Sequence, residues 1–229
     1  MERRARPKLS HTGYYQLEIL EEDDLKRNEV EDFIYNCFAL AYKANIKTFL
    51  PNIMSLRNEA GQISSALGYK KAGVDKLFLE SYLDDPAESY LERIFGCSVR
   101  REDIIEVGNL ASASSGGSRL LITALCGLLQ GKGAKWVVFT ATPALLNSFS
   151  RMGLPPYALS LADKAALGEG SGDWGSYYEQ APVVVAGNVS QGFLALQKKL
   201  RLKQIDSQYN RLSQDAYSTG LSRATNNGC

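Results

Sequence analysis

From Asn28 to Lys47 the apolar residues Val30, Phe33, Ile34, Cys37, Phe38, Ala41 and Tyr42 recur at helical spacing, which predicts an amphipathic helix stopped near Pro51. The pattern then changes period. "FLPNIMSLRN" and "GQISSALGYKKAG" predict a strand pair around a turn at Asn58 to Gly61. "KLFLESYLDD" reads either as the end of a strand or the start of a helix, and Pro86 opens a short helix running through Phe95. "EDIIEVGNLA" is a strand that carries one carboxylate, Glu106, among apolar neighbours. Ser118 to Gln130 is an apolar helix ended by Gly131 and Gly133, and "KWVVFTAT" is a buried strand. Pro143 suits the first turn of the next helix, "PALLNSFSRMG", which closes at Gly153. After it, "LSLADKAAL" reads as a short helix, "GEGSGDWGSYYEQ" as a loop and "APVVVAGNV" as a strand. From about Gln197 the chain turns polar. This order predicts one mixed α/β domain over residues 28–196, an arm over 1–27 and a polar, partly helical or disordered tail over 197–229.

With 229 residues, 45% of them hydrophobic and 22% charged, the chain is long and apolar enough to bury a real core. A formal net charge of +1 argues against a nucleic-acid partner, because phosphate binding needs a basic excess. The single histidine, His11, leaves no histidine-based metal site or triad, and no metal is expected. Cys37, Cys97, Cys126 and Cys229 form no close pair, the pattern of reduced thiols in a cytoplasmic protein. The N-terminal arm has positive charges but no apolar segment of an export signal after them. No apolar run reaches the roughly 18 residues that a membrane span requires, so contact with a membrane would be peripheral.

The remaining chemistry gathers in "EVGNLASASSGGSRLL". A loop of small residues that opens a helix leaves the first N–H groups of that helix free, and with the helix dipole these bind phosphate oxygens. Ser114, Ser115, Gly116, Gly117 and Ser118 make that loop here, and Arg119 adds a charge near its mouth. The same glycines also suit a plain tight turn. No Gly-Lys-Ser/Thr follows, and the glycine spacing is not that of a dinucleotide fingerprint.

Strand, phosphate-type loop, helix, strand and a helix ending in "NSFSRMGL" together resemble the core of the GCN5-related acyltransferase superfamily. "FLPNIMSL", "ALGYKKA", "LFLESYLD", "EVGNLAS", "WVVFTAT" and "WGSYY" with "PVVVAG" resemble, more closely, the thermostable hemolysin family, a relative of the acyl-homoserine-lactone synthases and the exosortase-associated acyltransferases. The resemblance spans about Phe49 to Gly187. It implies a mixed sheet with helices on both faces and a splayed strand pair that forms a thioester cleft. It also implies transfer of a medium or long acyl chain from acyl carrier protein or coenzyme A to the amine of an amino acid or derivative. The loop would hold the phosphates of the phosphopantetheine donor, and a bulge at Gly108 would turn backbone N–H groups near Gly108 to Leu110 toward the thioester carbonyl. Two positions depart from the superfamily. Phe149 stands where a tyrosine often serves as general acid, and the phosphate loop reads Ala113 to Ser118 without its usual glutamine or arginine.

Burial of Glu106 would raise its carboxyl pKa toward the range of a general base for the amine, and a structural ion pair with Arg100, Arg101 or Arg119 would explain it equally. Asn109 would join Glu106 on one side only if the strand bulges, and otherwise binds backbone. By the same resemblance, Glu80 and Tyr82 are candidates for the substrate's ammonium group, while Asp84, Asp85 and Glu88 suit a helix N-terminus. Trp174, Tyr177 and Tyr178 would line an acyl or substrate pocket, or merely pack. One of these tyrosines would supply the acid that Phe149 lacks. Arg100, Arg101, Arg119, Lys132 and Lys135, with Lys198, Lys199, Arg201 and Lys203 in the tail, suit an acidic carrier protein or an anionic membrane surface, or else are scattered surface charges. Because no cysteine or serine has a neighbouring histidine, direct attack of the amine in a ternary complex is the expected route. The competing classes are a membrane-lytic protein and an acyl-carrier-binding protein without catalysis.

Overall fold

The structure, a computed structural model, describes residues 14–73, 75–202 and 207–226. His11, Lys203, Cys229 and the first thirteen residues of the expected arm lie outside them. The strands are β1 (Gln16–Leu20), β2 (Asn52–Arg57), β3 (Ile63–Lys71), β4 (Ile104–Ser112), β5 (Trp136–Ala141), β6 (Tyr157–Leu161) and β7 (Val183–Asn188). The helices are α1 (Arg27–Tyr42), α2 (Ala87–Phe95), α3 (Ser115–Gly131), α4 (Pro143–Met152), α5 (Val189–Leu202) and α6 (Ser207–Asn226). All seven strands form one sheet in the order β1-β2-β3-β4-β5-β7-β6. Every neighbouring pair is antiparallel except β4 and β5, which run parallel.

Strand alternation sends successive residues to opposite faces. Ile53 of β2, Ala66 of β3 and Ala111 of β4 pack under α1, whereas Met54, Leu56, Leu67 and Tyr69 pack under α3 and α6. At the other end, Ile104, Trp136 and Val138 pack under α2, and Phe139, Ala141 and Val185 pack under α4. Helices therefore cover both faces, as the resemblance implied.

Three stretches differ from the pattern-based reading. The expected arm contributes β1, which pairs with β2 from Gln16↔Arg57 to Leu20↔Ile53. Its Glu18 is buried, and one carboxylate takes Lys26 Nζ at 2.8 Å and Arg57 Nε at 2.7 Å, while Arg57 also reaches Glu29 of α1 at 2.7 Å. On the other face of β1, Leu17 and Ile19 pack with Met54, Leu56 and Leu67. The stretch expected as a short helix from Leu159 instead holds edge strand β6, paired with β7 from Tyr157↔Ala186 to Leu161↔Val183. A 3₁₀ segment, Lys164–Trp174, starts only after Asp163 caps it, Oδ1 accepting from Ala165 N at 2.9 Å.

The described part of the expected tail is helical and packed. α6 lies so close to α3 that a Cβ on Gly127 would stand 2.2 Å from the Ser213 carbonyl oxygen, and one on Gly131 would stand 2.2 Å from that of Tyr217. Small residues allow this backbone approach. They carry little hydropathy, which is why the tail reads as polar.

Candidate active site

β4 and β5 pair only from Ile104↔Trp136 to Val107↔Phe139. Beyond that point β4 continues along β3 to Ser112 and β5 continues along β7 to Ala141, so the two strands part and leave a gap in the sheet. β4 bulges where they part. Gly68 faces Gly108 and Ala66 faces Ala111, which leaves Leu67 opposite both Asn109 and Leu110. Asn109 takes φ 52°, the left-handed region that asparagine tolerates better than most residues. Its Oδ1 accepts from Leu50 N at 3.1 Å and its Nδ2 donates to Thr48 O at 3.4 Å. Asn109 therefore anchors the segment before β2 over the bulge, the backbone-bonding role. Leu50 in turn covers Gly108, where a Cβ would come within 3.2 Å of its Cδ1.

A cavity of about 1030 Å³ runs through this gap, with lining residues on both faces of the sheet. On one side it is walled by Ile122, Leu125, Cys126 and Leu129 of α3, Phe149 of α4 and Val189, Gly192 and Ala195 of α5. On the other it is walled by Phe38 and Tyr42 of α1 and by Phe78, Tyr82, Trp174, Tyr177 and Tyr178. Gly108, Asn109 and Leu110 line the passage between the two. Burial pushes the Cys126 thiol up to about 12, which keeps it protonated and unreactive.

Glu106 belongs to the aromatic side. It pairs in register with Lys70 and Val138, and it is only 3% exposed. Its Oε2 accepts from Phe78 N at 3.0 Å and its Oε1 accepts from Leu79 N at 2.9 Å, at the start of the 3₁₀ turn Phe78–Tyr82. Burial raises its pKa above the ordinary value, against those two N–H bonds and the charge of Lys70. Arg100 and Arg101 are both engaged elsewhere. A carboxylate has about four acceptor positions, so two backbone donors leave capacity on each oxygen. Next to it the Tyr82 and Tyr178 hydroxyls meet at 2.5 Å, and burial raises both pKa values, so both keep their protons.

α3 begins where β4 ends. Ser114 caps it, Oγ accepting from Gly117 N at 3.2 Å, and no acid occupies the first turn. Ser114 and Ser118 line the cavity, with Ser115 and Gly116 between them at the helix start. Gly117 faces away from the opening. Its carbonyl accepts from Ser65 Oγ at 3.1 Å, and a Cβ there would meet Ser112 Oγ at 3.0 Å and Ser64 O at 3.3 Å, so its smallness seats α3 on β3. Arg119 is exposed on α3 and does not line the cavity.

Glu80 stands apart from the cavity. It is 3% exposed, its oxygens take Arg101 Nη1 at 2.7 Å and Nη2 at 2.9 Å, and they also accept from Leu77 N and Ala87 N. Burial alone would raise its pKa; the Arg101 and backbone hydrogen bonds overcome that and hold it down to about 2. The expected ammonium site at Glu80 is thus a buried ion pair that joins the 3₁₀ turn to α2. Three of the five members of the expected basic cluster have the same explanation. Arg100 pairs with Glu102 and Asp103, Arg101 with Glu80 and Glu88, and Lys135 with Asp103, all at the N-terminal end of β4, away from the gap.

Sequence reasoning missed the cavity walls from α1 and α5. Phe38 and Tyr42 stand four residues apart on α1 and read simply as part of its apolar face, while Gly187, Asn188 and Gly192 follow a strand with no motif of their own. Phe149 lines the cavity and packs on Phe139 with ring centroids 4.9 Å apart, offering no proton.

A sheet parted at a parallel strand pair, a bulge beside the gap and a capped helix immediately after it define the GCN5-related acyltransferase fold. Within that class the chain belongs to the thermostable hemolysin family, whose model matches residues 20–193. The solved structures support the fold. FeeM, an N-acyl amino acid synthase from uncultured soil microbes, is 15% identical, with a TM-score of 0.56 over 80% of this chain and 94% of that one. The acyl-homoserine-lactone synthase LasI is 13% identical, with a TM-score of 0.55 over 81% of this chain and 96% of that one. BjaI, a coenzyme-A-dependent acyl-homoserine-lactone synthase solved with SAM and isopentyl-CoA, is 12% identical, with a TM-score of 0.50 over 82% and 90%. No curated protein matches the chain by sequence. Among the described residues no helix is long and apolar enough to cross a membrane, and no group of three or more His, Cys, Asp or Glu could hold a metal.

Proposed function

We propose that the protein transfers a medium or long acyl chain from a phosphopantetheine thioester, on acyl carrier protein or coenzyme A, to a primary amine of the amino-acid-derived class. The carrying observation is the cavity that crosses the sheet at the β4–β5 gap with Glu106 on one side and the α3 N-terminus on the other. The start of α3 suits the donor's phosphate, since the dipole favours an anion and no acid opposes it. The apolar wall from α3 to α5 gives room for a chain. Glu106 takes the proton of the incoming ammonium. The amine nitrogen then attacks the thioester carbon, and its oxygen is met by backbone N–H groups near Gly108 to Leu110. Collapse of the tetrahedral intermediate breaks the C–S bond as the attacking nitrogen gives up its second proton and the leaving thiolate gains one by way of Tyr178, so the products are an amide, a free thiol and protonated Glu106. Tyr178, protonated and tied to Tyr82, supplies the O–H donor that Phe149 lacks.

Mass spectrometry of lipid extracts from cells expressing the protein tests the reading. New N-acylated species are expected with the native chain and are expected to vanish with Glu106→Gln, circular dichroism showing both to be folded. Lysis of red cells by the purified protein without any acyl donor, and no acylated species, would sink it.

A further inference from the structure

Glu106 is the one charged residue among the described residues that line the cavity. No lysine, arginine or histidine joins it there. The wall around it is aromatic. Phe78 stands 5.6 Å from Trp174 between ring centroids and 6.0 Å from Tyr82, Trp174 stands 6.2 Å from Tyr178, and Tyr42 and Tyr178 each stand 5.2 Å from Tyr177. Ring faces carry negative potential, so this wall and the buried carboxylate both favour a cation.

The same chamber is hostile to an anion. A carboxylate brought in beside Glu106 would meet like charge, no guanidinium fork and a low-dielectric wall. Three helix N-termini reach the cavity, those of α3 at Ser114, of α4 at Thr142 and of α5 at Asn188, and all three lie on the face packed by α3, α4 and α5, across the sheet from Glu106. Their dipoles serve the donor.

We infer that the acceptor is an amine without a carboxylate, of the arylalkyl or alkyl kind that decarboxylation of an amino acid leaves, and not a free α-amino acid. This deepens the acyltransferase reading and rests on it. In this transfer C–N forms and C–S breaks, one ammonium proton passes to Glu106, and a second leaves the attacking nitrogen and reaches the thiolate by way of Tyr178. The acceptor's ammonium sits over the aromatic wall with one N–H toward Glu106, and its apolar body lies in the cavity against the wall of Phe78, Trp174 and Tyr177.

Matched acceptors that differ only in the carboxylate provide the test: phenethylamine against phenylalanine, tyramine against tyrosine and isoamylamine against leucine, with phenylalanine methyl ester as the masked form. Palmitoyl-coenzyme A and palmitoyl acyl carrier protein serve as donors in separate arms, and thiol release and amide mass are both recorded. The expected result is a preference in kcat/KM for the amine of each pair on the order of ten- to a hundredfold, the range set by one unpaired buried polar group. The methyl ester should side with the amines. Equal or better use of the free amino acids overturns the acceptor assignment and leaves acyl transfer standing. Absence of thiol release and amide with every acceptor and both donors overturns acyl transfer itself, and the acceptor assignment with it.

Discussion

Glu106 and Glu80 are two buried glutamates less than thirty positions apart in the chain, and their surroundings push them in opposite directions. Glu106 has only backbone donors and a raised pKa, so the acid limb of kcat/KM should fall above pH 4.5, where an ordinary glutamate titrates, and the rate should rise with pH through it. A pH–rate profile checks this; the limb should be missing from any residual activity of Glu106→Gln. Glu80 has Arg101 and a pKa held down to about 2, so its contribution to stability is complete above pH 4.5 and is lost as pH falls from there toward 2. Glu80→Ala leaves Arg101 with only Glu88 as a carboxylate partner and should cost about 3 kcal/mol in urea unfolding at neutral pH, with a smaller acid dependence in that window. Asn109→Ala removes both bonds to the 48–50 segment and strains the left-handed backbone, so a loss of about 2 kcal/mol is expected together with weaker thioester binding.

At the level of elements, the contact of α3 with α6 decides whether the loop that opens α3 has a firm base. Glycine to alanine inside a helix ordinarily stabilises it, by about 1 kcal/mol. At Gly127 and Gly131 the sign should reverse, because the added methyl would meet a carbonyl oxygen of α6 at 2.2 Å in each case. Gly131→Ala should lower stability by about 1 to 3 kcal/mol in thermal or urea unfolding, the usual cost of overpacking. The same contact marks where the sequence ceased to be readable. β2, β3, β4, α3, β5 and α4 follow period and punctuation, so alternation, capping and proline placement sufficed for them. β1 is five residues long and sets a buried Glu18 between its apolar Leu17 and Ile19, and α6 buries Leu212 and Ala216 among mostly polar residues while Gly220 meets the α3 backbone, so the apolar pattern of each is short. The resemblance implied a bulge at Gly108, and it lies just after it at Asn109 and Leu110, yet its consequence, that Asn109 bonds Leu50 and Thr48, needed the partner segment to be in place. Glu80 was a candidate ligand through the resemblance, and the chain does not display Arg101 as its neighbour until α2 folds back.

For the molecule as a whole, the proposed reaction would divide the cavity by face, with the donor's phosphate and chain on the side of α3 to α5 and the amine on the side of α1 and the 3₁₀ turns. The chain's two tryptophans are divided in a related way. Trp136 is buried on β5 with its ring centroid 4.3 Å from that of Phe95 and takes no part in the cavity lining, while Trp174 stands in the aromatic wall beside Phe78. Intrinsic fluorescence therefore carries two separable signals, one for the integrity of the core and one for occupancy of the amine chamber. With Trp136→Phe, the emission of Trp174 alone should be quenched or shifted as phenethylamine is added and should stay still as phenylalanine is added, giving an optical titration that needs neither donor nor turnover.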